Sequence, residues 1–250
     1  MERLQITLRL FAQMNITGAN ASVTYTKADK TLLTRTINIS TGAKFVTAGY
    51  LYIKGLDKSF ASGAAYATIT INEGSKILVD DPTTPRVLLD NGEIVFNQAN
   101  AITTSTGEFV RLASIKDDDT LDDAILRINA SQTFRGVHAV GSNIDIYLST
   151  EVAATFDSQE GYATTDGAFI IIHNFQEERI FVGDIFKDGV LTNNANDVFK
   201  AFQTIDGNEV QIENLYINNG FLSAAVPEPA EWAAIFGAIA LGLAIYRRRK

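Results

Sequence analysis

Two stretches of the chain repeat one another. TINISTGAKFV begins at Thr36 and TITINEGSKIL at Thr68, both of the form T-I-x-I-x-x-G-x-K followed by apolar residues. The alternation in Thr36-Ile37-Asn38-Ile39 and Thr68-Ile69-Thr70-Ile71 has the period of a strand with one face buried, and the glycine marks a turn into a second short strand. Looser copies are VLLDNGEIVF from Val87, LRINASQTF from Leu126 and IYLSTEV from Ile146. Anchored on Gly42, Gly74, Gly92, Ser131 and Glu151, the copies lie 32, 18, 39 and 20 residues apart, roughly one or two solenoid turns. Imperfect repeats that stack strands predict an all-β body, a right-handed parallel β-helix in which each rung buries its inward side chains against the next. The alternative is a β-sandwich, since a strand-glycine-strand unit serves either fold.

Within 250 residues, 46% of them apolar, there is material for one domain with a core and an appendage. Residues 1–155 are read as solenoid-like repeats and 156–225 as a β-rich capping region, which a solenoid needs at its open end. In the latter, AFIIIHNF over 168–175 reads as a buried strand, EVQIENLYINNGFLSA over 209–224 as last rungs or a hairpin, and 194–202 as a short helix. Cysteine is absent, which excludes disulfides, thiol catalysis and Cys-ligated metals, and two histidines, His138 and His173, do not suffice for a multi-histidine centre. Both are expected to be buried or strand-paired. No nucleophile elbow, phosphate loop, dinucleotide fingerprint or H-E-x-x-H motif occurs, so no catalytic residue and no cofactor is assigned. Asp117 and Asp119, in the run Asp117-Asp118-Asp119 that precedes Asp122 and Asp123, form a weak Ca²⁺ candidate; lacking the spacing of an EF-hand loop, they read better as a solvated acidic turn. Tyr50 and Tyr52 fall on one face of a predicted strand, where they could stack on sugar rings or simply pack.

The C-terminal end has a different character. Residues 232–246 read WAAIFGAIALGLAIY without a charge, followed by Arg247, Arg248, Arg249 and Lys250. A soluble packing helix would carry a polar stripe, whereas this segment is apolar all round. It is predicted to be a transmembrane α-helix of about 22 Å, short of the roughly 30 Å hydrocarbon core, with snorkelling arginines and local thinning closing the gap. Ile235, Phe236, Ile239, Leu241, Leu243 and Ile245 contribute about 0.5 kcal/mol each to insertion, about 3 kcal/mol together. Trp232 and Tyr246 suit the two headgroup levels, and the basic cluster stays cytoplasmic, which puts residues 1–226 on the other side. Ala234, Ala238 and Gly242 form a small-residue stripe that would allow close contact with another helix. The linker 226–231 holds Pro227 and Pro229, which keep the backbone extended and withhold two amide donors.

Pro227-Glu228-Pro229, the apolar span and the basic cluster together resemble the PEP-CTERM sorting signal of Gram-negative bacteria. The resemblance covers about a tenth of the chain, residues 226–250. It implies export across the inner membrane, recognition by an exosortase, cleavage near Pro227-Glu228-Pro229 and a destination in the cell envelope or extracellular biofilm matrix, where exopolysaccharide would be a neighbour. Two departures stand out: Ala230 and Glu231 follow the motif where the family often has Ser or Thr, and the N-terminal MERLQITLRLFAQMN lacks the apolar core of a secretion signal. A misassigned start or a longer gene would account for the second.

The charge fits such a destination. Setting aside the four basic and two acidic residues of the tail, 17 basic and 27 acidic residues remain, a net charge of −10. This argues against nucleic acid as a partner and suits cations or neutral glycans. The sequence thus predicts a structural or adhesive protein held transiently in the inner membrane with its body in the periplasm. The rival readings are a surface-retained glycan-active β-helix enzyme, which would show a groove with convergent carboxylates, and a single-pass protein anchored without processing.

Overall fold

The computed structural model describes residues 13–26, 30–33, 36–55, 67–115, 123–149 and 156–225. The sorting-motif residues, the predicted span and its stripe, the basic cluster, Asp117 and Asp119 lie outside these residues.

The described chain is all-β and repeatedly visits three sheets in the same order. The first circuit is β1 (Gln13–Thr17), β2 (Ser22–Tyr25) and β3 (Thr31–Leu33), and the second is β4 (Thr36–Ser40), β5 (Lys44–Thr47) and β6 (Leu51–Lys54). The third is β7 (Ala67–Ile71), β8 (Lys76–Val79) and β9 (Arg86–Asp90), and the fourth is β10 (Gly92–Phe96), β11 (Ile102–Thr103) and β12 (Arg111–Ile115). Next come β13 (Ala124–Ile128), β14 (Gln132–Phe134) and β15 (Gly136–Val140), then β16 (Ile144–Leu148), β17 (Phe156–Ser158) and β18 (Tyr162–Thr165). The seventh circuit is β19 (Ile170–His173), β20 (Ile180–Phe181) and β21 (Ile185–Lys187). The first sheet runs β1-β4-β7-β10-β13-β16-β19, the third β3-β6-β9-β12-β15-β18-β21, and the second is divided into β2-β5-β8-β11 and β14-β17-β20. All these pairs are parallel, where a sandwich of hairpins would pair its strands antiparallel, and the long parallel sheets are compatible with a β-helix.

Register aligns like side chains into columns. On the first sheet Ile37, Ile69, Ile94, Leu126, Ile146 and Ile172 succeed one another in pairing and are almost fully buried. Each such side chain contributes about 1.5–3 kcal/mol by leaving water. Aromatic rings fill the core of the later circuits: centroids are 5.7 Å apart from Phe96 to Phe134, 5.5 Å from Phe134 to Phe156, 6.1 Å from Phe156 to Tyr162 and 5.1 Å from Tyr162 to Phe199. The buried Tyr162 hydroxyl donates to the Phe181 carbonyl at 3.2 Å, which satisfies its one polar atom.

The repeats at Thr36 and Thr68 stack directly, since Ile37 pairs with Ile69 and Lys44 with Lys76. Gly42 and Gly74 both take positive φ (77° and 75°) at the corner between the first and second sheets. The copy at Val87 occupies another corner, from the third sheet into the first. There Asn91 takes the positive φ (50°), while Gly92 is required because a Cβ would meet Ile53 of β6 at 2.9 Å. This explains the irregular spacing of the anchors: Gly92 is not equivalent to Gly42.

Parallel pairing crosses residue 156, with β23 on β19 the last parallel pair, while the other strands after β21 reverse. β22 (Val190–Thr192) folds back on β21, β23 (Phe199–Ile205) continues the first sheet in parallel and is followed by antiparallel β24 (Asn208–Ile212), and β25 (Leu215–Asn218) pairs antiparallel with β26 (Phe221–Ala224). The first and third sheets and the β14-β17-β20 part of the second therefore end, at their C-terminal side, in reversed strands, which blunt those edges. The helix expected over 194–202 is a single 3-10 turn, Ala195–Asp197, capped by the Asn194 side chain and running straight into β23. Burial of Phe199 and Ala201 in the stacked core overrides the local helix signal there.

Candidate functional site: a histidine held by two carboxylates

The outward face of the first sheet carries a second set of columns. Arg127 on β13, Tyr147 on β16 and His173 on β19 occupy one register position, and Phe202 on β23 extends the column. The Arg127 guanidinium lies 4.7 Å from the Tyr147 ring centroid. Tyr147 and His173 stack at 4.1 Å with planes 5° apart, and His173 and Phe202 at 5.7 Å and 14°. The imidazole is therefore clamped between two aromatic faces, with only its edges left to meet polar groups.

Both edges meet a carboxylate. His173 Nε2 lies 2.8 Å from Asp145 Oδ1 on β16, and Nδ1 lies 2.8 Å from Glu209 Oε1 on β24. Ionised carboxylates only accept, so both contacts are made at once by the doubly protonated imidazolium. Burial of the ring opposes that charge, but the hydrogen bonds to Asp145 and Glu209 and their negative charges outweigh it, and the His173 pKa is raised. Around this centre, burial pushes the Asp123 carboxyl up, reinforced by the charge of Asp145 and opposed by hydrogen bonds from the Asn143 amide at 3.0 Å and side chain at 3.2 Å. Burial, with Asp145 beside it, also raises the Tyr147 phenol. Beyond Tyr147, Arg127 Nε donates to Glu93 Oε1 at 2.7 Å, and Thr68 donates to Glu93 Oε2 at 3.0 Å.

Asp123, Asp145 and Glu209 thus converge, but each is hydrogen-bonded to Asn143 or His173. An imidazole with both nitrogens turned to carboxylates holds strands together; it does not offer a free base. Among the described residues no group of three or more His, Asp or Glu side chains could hold a metal ion.

The other sequence-selected residues are kept apart. Tyr52 donates to the buried Asp90 at 2.9 Å, and Lys54 approaches the same carboxylate at 3.3 Å. Arg86 lies over the Tyr50 ring at 4.6 Å and Lys30 over the Tyr52 ring at 5.3 Å, so a cation occupies one face of each ring. His138 stands on the third sheet, where burial and Arg111 lower its pKa. Among the described residues no helix is long and apolar enough to cross a membrane.

Two features escaped sequence reasoning. Asp145 and Glu209 lie 28 and 36 residues from His173, so no local motif joins them, although Tyr147 and His173 are one circuit apart. At the corner after the first sheet, Asn129 donates to Asn97 at 2.8 Å and Asn97 to Asn72 at 2.9 Å, a ladder of amides along the stack. No family model, curated protein or solved structure matches the chain.

Proposed function

We propose that the chain is an exported cell-envelope or matrix protein of structural or adhesive type, its body a right-handed parallel β-helix and its tail a PEP-CTERM-like sorting signal. The observation that carries this reading is the succession, within residues 226–250, of Pro227-Glu228-Pro229, fifteen uncharged residues and a closing basic cluster. In this account the span holds the tail in the inner membrane, Arg247, Arg248, Arg249 and Lys250 fix its orientation, and the extended proline segment presents the cleavage region to an exosortase. The small-residue stripe Ala234, Ala238 and Gly242 provides the surface for close approach of a helix of that enzyme. The asparagine ladder and the His173 clamp, in which outward polar groups are committed to one another, support a passive role for the stacked body. An acidic body would meet exopolysaccharide through neutral groups or bridging cations.

Mass spectrometry of the mature C-terminus, from cells that make the protein naturally, tests this. A terminus near Pro227-Glu228-Pro229 is expected. An intact Lys250 in the envelope form would contradict processing and favour the simple anchor.

A further inference from the structure

At the end of the first sheet the hairpin of β23 and β24 is tied back to the stack by the Glu209 side chain as well as by the pairing of β23 with β19. β24 pairs antiparallel with β23 alone and ends its sheet, and its residues 208–211 are exposed. Glu209 is the member of this strand that reaches back, past β23, to His173 on β19. We infer that His173 is a proton-operated clamp: as imidazolium it ties β24 to β16 through Glu209 and Asp145, and on losing its proton it loosens the edge strand.

Neutral imidazole has one donor and one acceptor nitrogen. Deprotonation therefore turns a lone pair toward either Glu209 or Asp145, and an attraction becomes a repulsion. Of the two, Glu209 can withdraw, since its side chain is 48% exposed while that of Asp145 is 15% exposed. The groups that face the ring from each packed element are Asp145 and Tyr147 on β16, Phe202 on β23 and Glu209 on β24. Asp123 adds negative charge behind Asp145. The nearby cations are engaged elsewhere: Arg127 by Glu93 and Tyr147, and Lys200 by the Phe169 ring at 3.9 Å. The sign follows from the raised pKa of the folded state. The stability contributed by the clamp is fully present below the ordinary histidine value of about 6.5 and is lost as pH rises through the higher folded value.

Nuclear magnetic resonance of the full chain with labelled imidazoles and Val and Ile methyl groups reads the clamp directly. The His173 midpoint is expected above that of an ordinary histidine, and the methyl shifts of Val210 and Ile212 should follow the same midpoint. Glu209→Gln should shift the His173 midpoint downward, and His173→Gln should flatten the methyl titration while the separate His138 signal persists as a mark of the intact fold. Should His173→Gln fail to fold, the surface variant Glu209→Gln gives both readings alone. A His173 midpoint at or below the ordinary value, or Val210 and Ile212 methyl shifts that either do not titrate with His173 or keep their titration in His173→Gln, would overturn the inference.

Discussion

Gln132 repairs the one interruption in the second sheet. Between β11 and β14 the backbone ladder is missing, and the buried Gln132 side chain takes its place. Its Oε1 accepts from the Ala101 amide at 3.1 Å, and its Nε2 donates to the Gln98 and Ala130 carbonyls at 2.7 and 2.9 Å. Replacement by leucine, similar in size, would leave the buried Ala101 amide without a partner, at about 1–3 kcal/mol, and remove the donor from the part-buried Gln98 and Ala130 carbonyls, at a smaller cost each. Gln132→Leu is accordingly expected to lower unfolding stability by at least about 2 kcal/mol, measured from the denaturant midpoint; an unchanged midpoint would mean that the side chain bridges nothing of consequence. Residues of this kind are hard to see in a sequence. Gln132 and His173 owe their roles to neighbours one circuit away, whereas the inward isoleucines announce themselves through local alternation.

At the level of the element, corners are the demanding places. Gly161 has φ +89° at the turn between β17 and β18, and an added Cβ would collide with the Asp184 carbonyl oxygen. The carbonyl cannot simply retreat, because it accepts the Tyr162 amide at 2.9 Å. Gly107 has nearly the same φ, +88°, but open space around it. Gly107→Ala should thus show only the backbone cost of the left-handed region, about 1–2 kcal/mol, and Gly161→Ala distinctly more. Thermal unfolding of the two variants separates conformational strain from collision, and equal losses would show that the contact is not made. The same corners explain what was legible. Threonine–isoleucine alternation around Gly42 and Gly74 revealed strand, turn and strand, and their common offset is the true register. The copy around Gly92 has the same local pattern at a different corner, so its spacing misled. Residues 194–202 read as a short helix, but only a 3-10 turn forms at Ala195–Asp197, and stacking on β19 imposes a strand from Phe199.

The whole molecule divides into a body whose all-β nature was legible and a tail whose chemistry speaks through sequence alone. The proposed export of the body rests on the tail, and the body's net charge of −10 outside the tail residues is compatible with it. The central claim is that the apolar span with its terminal positive charges prefers lipid to water and thereby places the body beyond the cytoplasm. A compartment-sensitive reporter inserted after Ala225, with the tail intact and a working secretion leader supplied, measures this most directly. The account predicts a reporter active in the periplasm and, before processing, associated with the membrane; a soluble reporter active in the cytoplasm would contradict it.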